Sequence, residues 1–212
     1  MHGEKHDRLL HFRRCKSLKH ETPFYMVRQM IGYKLFRVKR SAPCQLFPLY
    51  VLADQPVSMG VWLPAQEGPR KENGKVRSRI GDLAFRPGWH LSEFPLAVHI
   101  GIKEGGVIRY MHDDEIWCEC EYSDAIDYQP VADKNGTRDG VFHPREAMME
   151  KIPVDGFYRY KTSPQMLGRW IIAGSMKVLR ILSDAEVAAL CRAAGYEPLP
   201  RKKPFSPSDF GL

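Results

Sequence analysis

The chain has 212 residues, of which 43% are hydrophobic and 11% aromatic. That length and composition can bury a core, which excludes wholesale disorder and dependence on a disulfide or metal staple for folding. The formal charge of +7 belongs to the ends: residues 1–40 carry eleven Lys/Arg against three acids, while residues 41–200 carry eighteen against twenty-one. A mildly acidic middle argues against a basic, nucleic-acid-coating face on the folded body.

The first 27 residues, rich in His, Lys and Arg, read as a basic flexible segment before an α+β domain over residues 28–195. Short strands are expected at 33–38 and 46–53, where aromatic and β-branched residues concentrate. Residues 64–82, with Pro64, Gly68, Pro69, Asn73-Gly74 and Gly81, predict a long surface loop or hairpin. An extended segment over 85–92 then runs into a short helix, with Ser92 as N-cap, Glu93 at its positive end and Leu91 and Leu96 as a hydrophobic staple.

Residues 116–122 alternate cleanly, placing Ile116, Cys118, Cys120 and Tyr122 on one face and Trp117, Glu119 and Glu121 on the other. Residues 123–156 are loop-rich, with turn signals at Asn135-Gly136 and Asp139-Gly140. Strands follow at 157–160 and 170–182, with Gly174 marking a bulge or close approach. The last element is a helix opened by the capping box Ser183-Asp184-Ala185-Glu186, striped by Val187, Leu190, Cys191 and Ala194, and ended by Gly195. A Pro-rich basic tail, 196–212, closes the chain. The predicted fold is a β-rich single α+β domain with a split or curved, mostly antiparallel sheet, short helices and a C-terminal helix.

Five cysteines, Cys15, Cys44, Cys118, Cys120 and Cys191, are odd in number and form no C-x-x-C. Cys118 and Cys120 suit two buried thiols on one strand face better than metal ligands, and the set fits a reducing compartment. No apolar run approaches the ~18–20 residues that cross a bilayer, and the N-terminus is too charged for a signal peptide. The expectation is a cytoplasmic protein with no membrane partner, in a bacterial or phage-infected host cell.

No P-loop, G-x-G-x-x-G after a strand, H-E-x-x-H or nucleophile elbow is present. Four segments remain for chemistry. In RPGWHLSEFPLAVHIG, residues 86–101, Gly88 allows close backbone approach, Trp89 offers a stacking surface and His90 a donor or base; the plainer reading puts Trp89 in the core and His90 on backbone. Glu119 and Glu121 share a face beside Trp117, where two carboxylates in a cleft would raise one pKa and on a solvent face would be ordinary alternation. The run His112-Asp113-Asp114-Glu115 reads as a solvated turn rather than a cation site, so no metal is expected. Residues 157–161, Phe-Tyr-Arg-Tyr-Lys, interleave rings and cations as a base-stacking stripe does, or as an ordinary sheet strand does.

Taken in order, Arg37 within YKLFRV, the run Gly88-Trp89-His90-Leu91-Ser92 followed by Ala97, and Glu119-Cys120-Glu121 resemble the three motifs of the ADP-ribosyltransferase fold. That fold is a split β-sheet holding NAD in a cleft. The likeness spans residues 33–122; Ser92 stands alone where the family has Ser-Thr-Ser. The segment is also similar to proteins of bacteriophage and other mobile elements. The resemblance implies NAD as substrate, with Glu121, Glu119 and His90 as catalytic residues and Arg37, Trp89, Ser92 and Arg86 binding the dinucleotide. Arg37 would pair with pyrophosphate, and Glu121 would stabilise an oxocarbenium-like transition state. The alternative is a non-catalytic accessory protein that grips nucleic acid or a protein partner through the basic residues 1–40.

Overall fold

The alternating run at 116–122 becomes the centre of a sheet. The computed structural model describes residues 29–96, 111–162 and 168–199, the backbone of strands Ile102–Glu104 and Val107–Arg109, and positions 166, 201, 203, 205, 206 and 208. The basic segment 1–27, Ala97 and His99 lie outside the described residues. Strand β9 (Glu115–Tyr122) pairs antiparallel with β1 (Ile31–Lys39) over seven residue pairs and on its other side with β15 (Ser175–Ile181). Ile116, Cys118, Cys120 and Tyr122 pack on one face with Phe36, Val38 and Val178, and Trp117 packs on the other with Leu35 and Leu182. The Cys118 and Cys120 side chains are fully enclosed. Burial pushes the Cys120 thiol up to about 12 and raises that of Cys118 as well, so both stay protonated core residues.

The remaining strands extend this centre. The order is β10 (Ile126–Asp127), β13 (Gly156–Tyr160), β14 (Trp170–Ala173), β6 (Trp89–Ser92), β1, β9, β15 and β3 (Trp62–Pro64), with β2 (Ala42–Phe47) hairpinned onto β1. Every pairing is antiparallel except β10 with β13. Three two-stranded ribbons accompany the sheet: β4 (Val76–Ser78) with β5 (Gly81–Leu83), β7 (Ile102–Glu104) with β8 (Val107–Arg109), and β11 (Thr137–Arg138) with β12 (Val141–Phe142). The predicted β-rich α+β class is what the chain adopts.

Two features shape the sheet. Strands β14 and β15 are separated by Gly174 alone, so residues 170–181 run as one bent strand whose first half joins β13 and β6 and whose second half joins β9 and β3. A Cβ at Gly174 would lie 1.7 Å from the Pro153 carbonyl oxygen, which reserves the bend for glycine and meets the expected close approach. The sheet thus coils around Leu91, Ile171, Ala173, Met176 and Val178 without closing into a barrel. Second, β1 and β6 meet at one position only, Tyr33 opposite Ser92. Beyond that pair their ladder is not continued, and the sheet is split there.

Several expectations are corrected. The strand expected at 46–53 begins earlier and stops at Phe47, since Pro48 has no N–H for the ladder. Ser92 ends a strand and caps no helix: its hydroxyl faces the carbonyls of Tyr33 and Phe94, and residues 93–95 are bends. Within the loop-rich 123–156 lies a helix, α1 (Gln129–Asn135), too short and too exposed to give a periodic signal, with Ala132 its buried residue. The stretch 64–82 does hold a hairpin, β4–β5. Helix α2 (Asp184–Ala193) has the predicted capping box, with Ser183 Oγ and the Glu186 carboxylate satisfying each other's backbone N–H. Its other end closes at Gly195 (φ +86°), with Gly195 N–H donating to Arg192 O and Tyr196 N–H to Cys191 O. In the Pro-rich tail, Arg201 lies against the body: its guanidinium pairs with Asp184 at 2.9 Å and donates to His112 O at 2.7 Å.

A candidate ligand cavity at the split of the sheet

Where β1 and β6 part, a cavity of about 740 Å³ opens. Its floor is aromatic and apolar, formed by Tyr33, Leu35, Trp117, Tyr160 and Trp170. Its walls come from the loop at 48–57, from the end of β3 and the loop after it (63–68), and from residues 83–90, which include Arg86, Gly88, Trp89 and His90. The size falls in the range of pockets that enclose small molecules, roughly 300–1,000 Å³. Three of the four tryptophans in the chain line it.

Each wall residue is set by a specific contact. Arg86 stacks on the Tyr160 ring at 3.7 Å and donates to Ala147 O (3.1 Å) and Arg145 O (2.6 Å). Those bonds occupy two of a guanidinium's five donors. Burial pushes the Tyr160 phenol up to about 12, against the pull of Arg86, so it stays a neutral donor. Trp89 Nε1 donates to Leu63 O at 2.8 Å, tying β6 to the strand at the far end of the coiled sheet. His90 Nδ1 lies 3.2 Å from Gly88 O, and because a carbonyl only accepts, Nδ1 carries the proton in that bond. The His90 ring meets Tyr160 edge-on, with centroids 6.3 Å apart. The Trp117 indole N–H finds no hydrogen-bond partner among the described residues.

Lys34 crosses the split. Its Nζ donates to His90 O at 2.9 Å and sits 5.3 Å from the Trp89 ring centroid and 5.6 Å from that of Phe36. Lys34 as a whole is half-buried. Desolvation lowers its pKa to about 8, only partly offset by the nearby thiols of Cys120 and Cys118.

Of the residues singled out in the sequence, the structure brings Arg86, Trp89 and His90 together in this cavity and leaves four outside its lining. Arg37 buttresses a wall, donating from Nη2 to Ala53 O at 3.0 Å. Ser92 is buried at the seam. Glu119 shares its oxygen with Arg180 at 3.0 Å, and Glu121 pairs with Lys177 at 2.5 Å. The two carboxylates do share a face, as predicted, but two basic residues of β15 occupy it with them. Glu67, exposed on the 63–68 loop, is the carboxylate that lines the cavity. Gly88 (φ +121°) approaches the core: a Cβ there would meet Ile172 Cγ2 at 2.3 Å.

The other two segments are structural. Tyr158 is fully buried, Phe157 and Tyr160 nearly so, and Arg159 packs over Phe157 at 4.6 Å, so the rings of the stripe serve the sheet, with Tyr160 also on the cavity floor, while Arg159 and Lys161 stay half-buried. Glu115 is buried and accepts His112 N–H at 3.0 Å, closing the acidic turn on itself. Among the described residues no group of three or more His, Cys, Asp or Glu gathers as metal ligands, and no helix is long and apolar enough to cross a membrane. Sequence reasoning missed Lys34, Tyr33 and Trp117 as cavity residues and had Tyr160 only as part of the ring–cation stripe. Their apolar neighbours read as core, and only the parting of β1 from β6 makes them a lining. Compared with known proteins, the chain matches no family model, no curated protein and no solved structure.

Proposed function

We propose that the protein binds a small molecule carrying a flat aromatic ring and an anionic group, with a nucleotide of the NAD class as the ligand to be tried first. The observation that carries this reading is the aromatic cavity at a split in the sheet, edged by Arg86. A ring laid against the half-buried Trp89 gains stacking on the order of 1 kcal/mol beyond its buried area. Arg86, at the edge of the cavity, supplies a cation for phosphate. The split sheet also accords with the resemblance noted in the sequence. ADP-ribosyl transfer needs more: Glu119 and Glu121 are held by Arg180 and Lys177 outside the lining, so binding is better supported than transfer.

The test uses the tryptophans of the cavity as reporters. Titrating the full chain with NAD, ADP-ribose and AMP should quench Trp fluorescence saturably below about 1 mM. Arg86→Ala should weaken the binding about tenfold while circular dichroism stays native. Absence of quenching by all three nucleotides rejects the reading. Incubation with labelled NAD, compared between wild type and Glu121→Gln, decides the transfer step separately: labelling abolished in the variant would restore the strand carboxylate to the mechanism.

A further inference from the structure

Lys34 lines the same cavity, and the nucleotide reading makes no use of its amine. It forms no ion pair among the described residues, and its contacts are a backbone carbonyl and two ring faces. A lysine needed only for charge is usually placed at the surface or beside a carboxylate. This one is drawn across the gap between two strands, at the wall of a 740 Å³ cavity. We propose that Lys34 is an imine-forming amine, taking a small aromatic aldehyde or ketone that carries an anionic group.

The surroundings fit that step. The amine nitrogen attacks the carbonyl carbon, the C–N bond forms and the C–O bond breaks. Both amine protons leave with the oxygen as water, and no oxidant or reductant is needed. The reactive form is the neutral amine. The titratable groups facing it are the Cys118 and Cys120 thiols of β9, which burial keeps protonated and hence unable to act as counter-ions. The element on its other side, β6, offers Nζ the His90 carbonyl and the Trp89 ring. With its pKa lowered to about 8, Lys34 is half neutral at that pH, whereas an ordinary lysine is below one part in a hundred. Trp89, whose ring lies 5.3 Å from Nζ, suits the ring of the carbonyl compound, and Arg86, on the lining of the same cavity, is a cation for its anionic group.

The inference uses the same cavity as the nucleotide reading and is separable from it. The probe is pyridoxal 5′-phosphate, an aromatic aldehyde with a phosphate, added to the full chain at pH 8 and fixed with sodium borohydride. Peptide mass spectrometry should find Lys34 modified about tenfold or more ahead of the exposed Lys71 and Lys75. The labelling rate should reach half its plateau near pH 8. Lys34→Met should lose the imine absorbance and keep the native circular dichroism. Lys34 unmodified, modified no faster than Lys71, or still gaining rate through pH 10 overturns the proposal. Mapping in the wild type decides the matter even if the variant fails to fold. Nucleotide quenching with an unlabelled Lys34 would reject the imine and keep nucleotide binding; a labelled Lys34 without nucleotide quenching would do the reverse.

Discussion

Lys34 carries a desolvated ammonium whose hydrogen-bond partner is a single carbonyl, and that arrangement has a consequence for stability. Its folded pKa of about 8 lies below the ordinary 10.5. Below pH 8 both native and unfolded chains hold the proton, and the cost of desolvating it stands in full. Between the two values the unfolded chain binds a proton the native state has shed, so this residue's contribution improves as pH rises through that window. The enclosed thiols Cys118 and Cys120 act in the opposite sense: their raised pKa values favour the native state until the unfolded thiols ionise near pH 9. Comparison of wild type with Lys34→Met cancels the thiols. The deficit of the wild type relative to the variant should shrink by about 3 kcal/mol as pH is raised from about 7.5 to about 10.5, read from urea midpoints at constant slope. A constant difference across that range would show that the amine does not titrate early. At this scale the sequence was readable only where a residue acts on its neighbours. The alternation that put Glu119 and Glu121 on one face was local, whereas Arg180, which takes up Glu119, stands 61 residues later.

Helix α2 and the segment at Ser92 began from nearly the same signal, a Ser followed by acids before an apolar residue, and ended differently. At Ser183 nothing competes, so Oγ and the Glu186 carboxylate close the box. At Ser92 four backbone pairs between β6 and β14 hold the chain extended, and the hydroxyl is spent on the carbonyls of Tyr33 and Phe94. Tertiary pairing overrode local capping. The short helix α1 was invisible for a different reason: with Ala132 as its buried residue, it has no apolar stripe to read. The cap of α2 gives a prediction at this scale. The Ser183 backbone N–H, Arg180 and the Ser183 hydroxyl together lower the Glu186 carboxyl to about 2 from an ordinary 4.5. A lowered carboxyl favours the native state above pH 4.5, and that help is lost as pH falls from 4.5 towards 2. Ser183→Ala should lower stability by about 1 kcal/mol at neutral pH. Glu186→Gln should flatten the acid limb of the stability curve over the same window, measured by denaturant midpoints from pH 6 downward. An unchanged acid limb in Glu186→Gln would mean that Arg180 and the cap do not hold that carboxylate in solution.

At the scale of the whole molecule, the described residues build a coiled sheet with a split, and the cavity opens at that split. On one side of it stand β6, β14, β13 and β10; on the other stand β1, β9, β15 and β3. The strands on either side of the seam share one residue pair, so the halves are joined chiefly by other means. Residues 170–181 run through both as one strand, and the Trp89 indole reaches from β6 to Leu63. Alternation and turn residues could foretell the strands and even the special role of Gly174. They could not foretell which strands would part, because that depends on register between segments more than fifty residues distant, such as Tyr33 and Ser92. The continuous strand predicts that the halves unfold together. Urea unfolding followed by far-UV circular dichroism, which reports all the strands, and by Trp fluorescence, three of whose four reporters line the cavity at the seam, should give coincident transitions. Gly174→Ala tests the coupling element: its Cβ would press on the Pro153 carbonyl, a backbone atom that cannot swing aside. The variant should lose about 2 kcal/mol or more, and its fluorescence transition should precede the dichroism one as the seam loosens first. Separate transitions in the wild type would mean that the bent strand does not bind the halves into one cooperative unit, and the cavity would then lie between two parts that open independently.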